Sequence, residues 1–293
     1  MINENNVEKN LIIGIVLTLG YFIIEVIGGI ISNSLSLLSD AGHMLRDVIA
    51  LFISLGAIKL ATKLPSKTKT FGYHRVEIFA GLINGIALSF VSILVLKGGV
   101  KRIVHPNIIK SNVMLIVAIF GLLINLYVAM NLRRTKDLNV KSAFYHVITD
   151  LMTSASVILA GIWIHFTSQF LIDSILSILI SIFLFFSSIM LIKETINILL
   201  EYTPKGIDFD LIVKEMESVE GVLGVHNIHL WSLCSNINVM DAHIYTCENS
   251  LLEIEKMKNE LKERLKKYSI LHATFEFENQ ECQNANILML PNH

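Results

Sequence analysis

The 293-residue chain is 53% hydrophobic and only 17% charged, with a mean hydropathy of +0.60. A water-soluble domain carries about a quarter charged residues, so this balance excludes an ordinary soluble globule and points to a lipid environment. The net charge of -1 leaves no basic surplus for a nucleic-acid partner.

Met1 to Asn10 is polar, and the apolar run that follows is too long for a signal-peptide core, so it reads as a retained span. A helix needs about 20 apolar residues to cross a hydrocarbon core of roughly 30 Å. Six segments meet or approach that length: Leu11 to Ile31, Leu35 to Ala61, Ile78 to Gly99, Val113 to Leu132, Val140 to Phe166, and Phe170 to Ile192, the last continuing toward Leu200. The predicted membrane part, residues 1–205, is therefore an all-α six-span transmembrane bundle.

Positive residues orient it. The link between spans two and three carries Lys59, Lys63, Lys67, Lys69 and Arg75, and the link between spans four and five carries Arg133, Arg134, Lys136 and Lys141. The links between spans one and two and between five and six carry none, whereas Lys101, Arg102 and Lys110 after span three break the pattern. The balance places both termini in the cytosol.

Beyond Pro204 charges become frequent, and residues 206–293 read as a small soluble domain. Phe209 to Ser218 has helical spacing, Val222 to Trp231 and Asn238 to Tyr245 are β-rich, Leu251 to Tyr268 is an amphipathic helix, and Ala273 to Phe277 is a short strand. The order α-β-β-α-β implies an α+β domain with helices on one face of a small open sheet. Cys234, Cys247 and Cys282 all lie in this last third; three sparse cysteines are no disulfide framework and fit a reducing compartment.

Spans two and five share a short pattern, His43-x-x-x-Asp47 and His146-x-x-x-Asp150. Residues four apart stand one turn above the other on one helix face, so each helix offers an imidazole and a carboxylate to the same point. Two nitrogen and two oxygen ligands suit a tetrahedral zinc ion. Counting from opposite membrane faces at about 1.5 Å per residue, Asp47 lies about 18 Å inward from Leu35 and Asp150 about 15 Å from Val140, nearly one level. A mid-membrane Asp costs roughly 2.5–3.5 kcal/mol on an insertion scale. A bound divalent cation or proton compensates that cost. Asp40 is a candidate second partner of the site, orienting a ligand. Glu25 and Asp173 are expected to line the same cavity or to pair with Lys or Arg, and Asn84 and Asn125 to bond between helices.

Three stretches carry a family resemblance: Ser-Leu-Ser-Leu-Leu-Ser-Asp-Ala-Gly-His-Met at residues 34–44, Phe-Gly-Tyr-His-Arg-Val-Glu at 71–77, and Gly-Val-His-Asn-Ile-His-Leu-Trp-Ser-Leu at 224–233. They resemble the cation diffusion facilitators, over nearly the whole chain. The resemblance implies a homodimer of six-span protomers, a ferredoxin-like cytosolic domain and metal–proton antiport, and the paired His-Asp sets resemble the zinc-preferring branch. It also implies a regulatory zinc site at His226, His243 and His272, with Glu278 as the acidic partner. Two features depart from the family: residues 131–142 contain no histidine, and Arg46 replaces a small hydroxyl residue.

The functional expectation is a secondary transporter of a bacterial-type plasma membrane, exporting Zn2+ against protons. Cd2+, Co2+, Ni2+ and Fe2+ also occupy nitrogen–oxygen sites, and a membrane-anchored metal sensor is the rival from another class. No phosphate-binding glycine loop or nucleophile constellation is present, so no enzymatic activity is expected.

Overall fold

The computed structural model describes residues 4–61, 65–132, 138–235, 237–279 and 287–288, with the side chains of these residues except 4–15, 50–51, 53–55, 57–61, 127–132 and 138–149. The chain divides into two compact units, Met1–Lys59 with Ala80–Ile192 and Leu60–Phe79 with Lys193–His293.

Long apolar segments satisfy their own backbone as helices, the one open-ended form that tolerates lipid. Among the described residues six long helices are observed: α1 (Glu4–Ser32), α2 (Leu35–Ala61), α3 (His74–Val104), α4 (Ser111–Leu132), α5 (Leu138–Thr167) and α6 (Leu171–Leu199). Among the described residues three stretches are long and apolar enough to cross a membrane, His74–Val104, Asp150–Thr167 and Leu171–Leu199, with shorter apolar stretches at Val16–Ser32 and Ser111–Leu126.

The turn between α1 and α2 positions the site. Asn33 takes a left-handed conformation (φ 59°), Ser34 N donates to Gly29 O at 3.0 Å and Asn33 N to Ile30 O at 3.2 Å, the six-to-one and five-to-two bonds of a Schellman ending. Ser34 then caps α2, its hydroxyl accepting from Leu37 N at 3.2 Å. Asp173 on α6 completes that cap. Its carboxylate accepts from Ser34 Oγ (2.6 Å), Leu35 N (2.8 Å), Ser36 N (3.2 Å) and the Ser36 hydroxyl. Asp173 thus bonds backbone donors and serine hydroxyls, with Arg102 close enough to act on it electrostatically. Arg102, one of the three residues that break the charge rule, donates to Asn33 Oδ1 at 2.8 Å and to the Asn33 carbonyl. Its position answers to this turn.

Small residues let the helices approach closely. Ser39 on α2 donates to its own Leu35 O at 2.9 Å and meets Ser177 O on α6 at 3.4 Å. A Cβ added at Gly85 or Gly99 on α3 would come within 2.7 Å of Ile192 or 2.6 Å of Ile178 on α6. The tightest case is Gly121 on α4, where an added Cβ would stand 1.6 Å from the Tyr21 hydroxyl. Tyr21 is 1% exposed and donates to Glu25 Oε1 at 2.9 Å, so it cannot swing aside without abandoning a buried acceptor. Gly121→Ala is therefore expected to destabilise the protein by about 2–4 kcal/mol. Thermal unfolding of detergent-purified protein checks this. Gly20→Ala, also inside a helix but with nothing within 4 Å of the new methyl, serves as the control and is expected to be neutral or to stabilise by up to about 1 kcal/mol.

In the second unit α7 (Phe209–Glu217), β1 (Gly224–Cys234), β2 (Ile237–Tyr245), α8 (Leu251–Lys266) and β3 (Ile270–Glu278) follow the expected α-β-β-α-β order. The sheet order is β1-β2-β3, with β1 and β2 antiparallel and β2 and β3 parallel, the crossover being α8. Asp208 caps α7 by accepting from Leu211 N at 3.2 Å. Ile212 and Met216 on α7 and Met257, Leu261 and Leu265 on α8 form one buried cluster with Ile228, Leu230, Met240 and Ile244 of the strands. The apolar residues of α8 recur at four-residue spacing, and its outer face carries Glu–Lys and Glu–Arg pairs three or four apart. Lys267 donates to Glu215 at 2.7 Å and holds that carboxyl below the usual carboxylate range.

Candidate metal centres

In the first unit, helical spacing places His43 and Asp47 one turn apart on α2, and α5 brings Asp150 to the same point. His43 Nδ1 lies 3.8 Å from Asp47 Oδ2 and 3.6 Å from Asp150 Oδ1. One ligand atom from each of the three lies within 4.8 Å of the others. These separations exceed a good hydrogen bond, whose N···O distance is about 2.9 Å. The two His43 separations lie close to the edge of a tetrahedron, since ligands roughly 2.1 Å from a zinc ion stand about 3.4 Å apart. His43 is 3% exposed and stacks on Phe183 of α6, its ring 7° from parallel at 6.4 Å, which orients the imidazole. His146 lies on α5, but its side chain falls outside the described residues.

Around this group the polar side chains are also buried. Asp40 Oδ2 accepts from Ser154 Oγ at 3.5 Å, and Ser154 receives Asn125 Nδ2 of α4 at 3.5 Å, an interhelical bond of the kind expected of Asn125. Asn84 is buried and its Oδ1 has no hydrogen-bond partner among the described residues. Arg46 is half-buried on α2.

The second unit brings another group together. His226 on β1 pairs directly with His243 on β2, and the parallel neighbour β3 sets Glu276 opposite His243 and Glu278 opposite Tyr245. Glu278 accepts from His243 Nδ1 at 2.7 Å and lies 3.2 Å from His226 Nε2. One ligand atom from each of His226, His243 and Glu278 lies within 4.8 Å of the others. Asn227, in a left-handed conformation (φ 48°) at a register shift in β1, puts its Nδ2 3.1 Å from His243 Nε2. Glu276 Oε2 is 3.5 Å from the same nitrogen. His272 does not join them. It lies opposite Val239, four residues from the His243 level, or about 13 Å at about 3.3 Å per residue. Its exposed ring packs edge-on against Phe71 at 5.5 Å. His74 Nδ1 is 4.0 Å from Cys234 Sγ, and Cys282 lies outside the described residues.

Residues 11–200 match the cation efflux transmembrane domain, and residues 204–278 match the cation efflux protein cytoplasmic domain. The chain is 37% identical over 292 residues to the cadmium, cobalt and zinc/H(+)-K(+) antiporter of Bacillus subtilis, covering 98% of this chain and 94% of that one. It is 37% identical over 282 residues to the metal cation efflux system protein CzcD of Cupriavidus metallidurans (95% and 89%). It is 33% identical over 287 residues to the zinc transporter ZitB of Escherichia coli (95% and 90%).

Proposed function

The chain belongs to the cation efflux family, and from that premise we propose that it is an integral membrane antiporter exporting a divalent metal cation, foremost Zn2+, in exchange for protons. The observation that carries this reading is the convergence of His43, Asp47 and Asp150 from two apolar helices at tetrahedral-edge distances. In our reading His146 is the fourth ligand, the six helices are six spans, both termini face the cytosol, and residues 1–205 form the transport domain of a bacterial-type plasma-membrane protein. Residues 206–293 form a ferredoxin-like cytosolic domain that pairs two protomers. There His226, His243 and Glu278 hold a regulatory zinc ion.

Ion and proton compete for the same lone pairs. A zinc ion binds neutral imidazole and ionised carboxylate, so its arrival expels protons, and protons arriving from the far side release it. Imidazole, with an unperturbed pKa of about 6.5, makes that exchange near physiological pH. The nitrogen–oxygen set also accommodates Cd2+ and Co2+, which are named with zinc for the Bacillus subtilis relative.

Proteoliposomes containing the full chain test the proposal. Zn2+ uptake is expected to accelerate about tenfold with an acidic lumen and to fall back to the gradient-free rate when an ionophore collapses the pH gradient, since one pH unit supplies about 1.4 kcal/mol per exchanged proton. Flux indifferent to the gradient would refute antiport. Competition by Cd2+ and Co2+ ranks the ions.

A further inference from the structure

The first unit buries an acidic pair that the metal group does not use. Glu25 on α1 is fully buried and Asp40 on α2 is 5% exposed. The two carboxyls lie close enough to act on each other. Glu25 Oε1 accepts from the Tyr21 hydroxyl at 2.9 Å, and Asp40 Oδ2 accepts from Ser154 Oγ at 3.5 Å. Glu25 Oε2 has no hydrogen-bond partner among the described residues. The titratable groups acting on the pair are Tyr21 of α1, His43 of α2 and Asp150 of α5; α4 contributes the neutral Asn125 through Ser154. None of the ion pairs among the described residues brings a Lys or Arg to Glu25 or Asp40.

Two carboxylates without a cation cannot both remain ionised in a dry site, and such pairs share a proton. The hydrogen-bond pattern favours Glu25 as its holder, because the Asp40 carboxylate already accepts from Ser154 while Glu25 Oε2 has no donor. With both carboxyls ionised, Glu25 Oε2 is a buried acceptor with no donor, which costs about 1–3 kcal/mol or more. If Glu25 is protonated at Oε2, that atom becomes a donor available to the Asp40 carboxylate, while Oε1 keeps its bond from Tyr21. Tyr21 is held in place by Gly121, where no larger residue fits.

We infer that Glu25 and Asp40 form a proton-binding site, separate from the metal ligands, that holds one proton on Glu25 and discharges it when a divalent cation binds beside His43 and Asp150. The Glu25 O–H bond breaks heterolytically, the proton passes to solvent, and two carboxylates remain near the newly arrived double positive charge. The pair thereby adds a proton to the exchange beyond those displaced from the ligands themselves. The discharge step rests on the reading of His43, Asp47 and Asp150 as a cation site; the resident proton does not.

The test counts protons. Isothermal titration of Zn2+ into the full chain in detergent micelles, in buffers of different ionisation enthalpy, gives the protons released per ion bound. Glu25→Gln keeps a hydrogen-bonding group but has no proton to release. It is expected to release about one proton fewer per ion bound than the wild type. An equal proton count in the two proteins overturns the inference. Infrared spectroscopy of the wild type supplies a readout that needs no variant. A protonated-carboxyl band in the metal-free protein that disappears on adding Zn2+ supports the pair, and the absence of any such band overturns it. If neither protein takes up Zn2+, the cation-site reading fails by itself. The metal-free band, present in the wild type and absent from Glu25→Gln, then still decides whether the pair holds a proton.

Discussion

Asp47→Ala is expected to reduce Zn2+ transport in proteoliposomes to background, a loss of about 100-fold or more, while the protein still expresses and inserts. Removing a group that merely orients a metal ligand already costs 10–100-fold in affinity, and a direct ligand is worth at least as much. Asp47 Oδ2 stands 3.8 Å from His43 Nδ1 with its side chain 17% exposed, so alanine removes a negative charge and an oxygen donor from a nearly enclosed group. Insertion does not suffer, because a mid-membrane carboxylate costs roughly 2.5–3.5 kcal/mol and alanine costs almost nothing there. A structural role and a ligand role therefore diverge: the first gives a poorly folded protein, the second a well-folded one that carries no ion. Asp47→Asn, which keeps the shape and loses the charge, is expected to behave like alanine in transport. Growth of a zinc-sensitive bacterium under zinc stress gives the same comparison in cells. Wild-type transport by purified Asp47→Ala would remove Asp47 from the site.

Asp173→Ala is expected to cost about 3–5 kcal/mol of stability, the largest such effect of any single side chain discussed. The carboxylate accepts from two backbone N–H groups at the start of α2 and from two serine hydroxyls, all buried. Loss of an ordinary helix cap costs about 1 kcal/mol and up to about 2, each buried donor left without a partner about 1–3 kcal/mol, and the favourable charge at the helix N-terminus up to about 2. These terms overlap, which is why the expected total lies below their sum. Asp173→Asn keeps one acceptor oxygen and is expected to lose about half as much. For a domain of this size 1 kcal/mol moves the melting temperature by about 2–4 °C. A Tm for Asp173→Ala within about 3 °C of the wild type would contradict the capping role. The change also bears on function, since His43 lies little more than two turns beyond the capped end and moves with it.

Much of the architecture was legible in the chain because its signals are local. An apolar run of 20 or more residues has few choices, and the observed α2 begins at its expected Leu35. The order of elements in the second unit followed from alternation and amphipathic spacing, each spanning only a few residues. His43 and Asp47 share a face by helical geometry alone, whatever surrounds them.

Contacts between residues far apart in sequence were not legible. Nothing in the sequence separates Asp173 from any acid near a helix end, because the donors it serves lie 137–139 residues earlier and are assembled only by packing. Arg102 broke the charge rule for the same reason: its partner, the Asn33 turn, is 69 residues away. Tyr21 and Glu25 stand four apart on α1 and could have been matched by spacing, yet only Gly121 on another helix explains why Tyr21 cannot move. His272 depended on the parallel register of β2 and β3, and a pairing shift of four residues separates it from His243.

Composition and periodicity by themselves determined that this protein forms long apolar helices followed by a small α+β unit, since hydrophobic burial and helical spacing act within a few residues. Only the tertiary structure decided which polar atoms meet. A buried carboxylate is defined by the donors and charges around it, and those arrive from other helices.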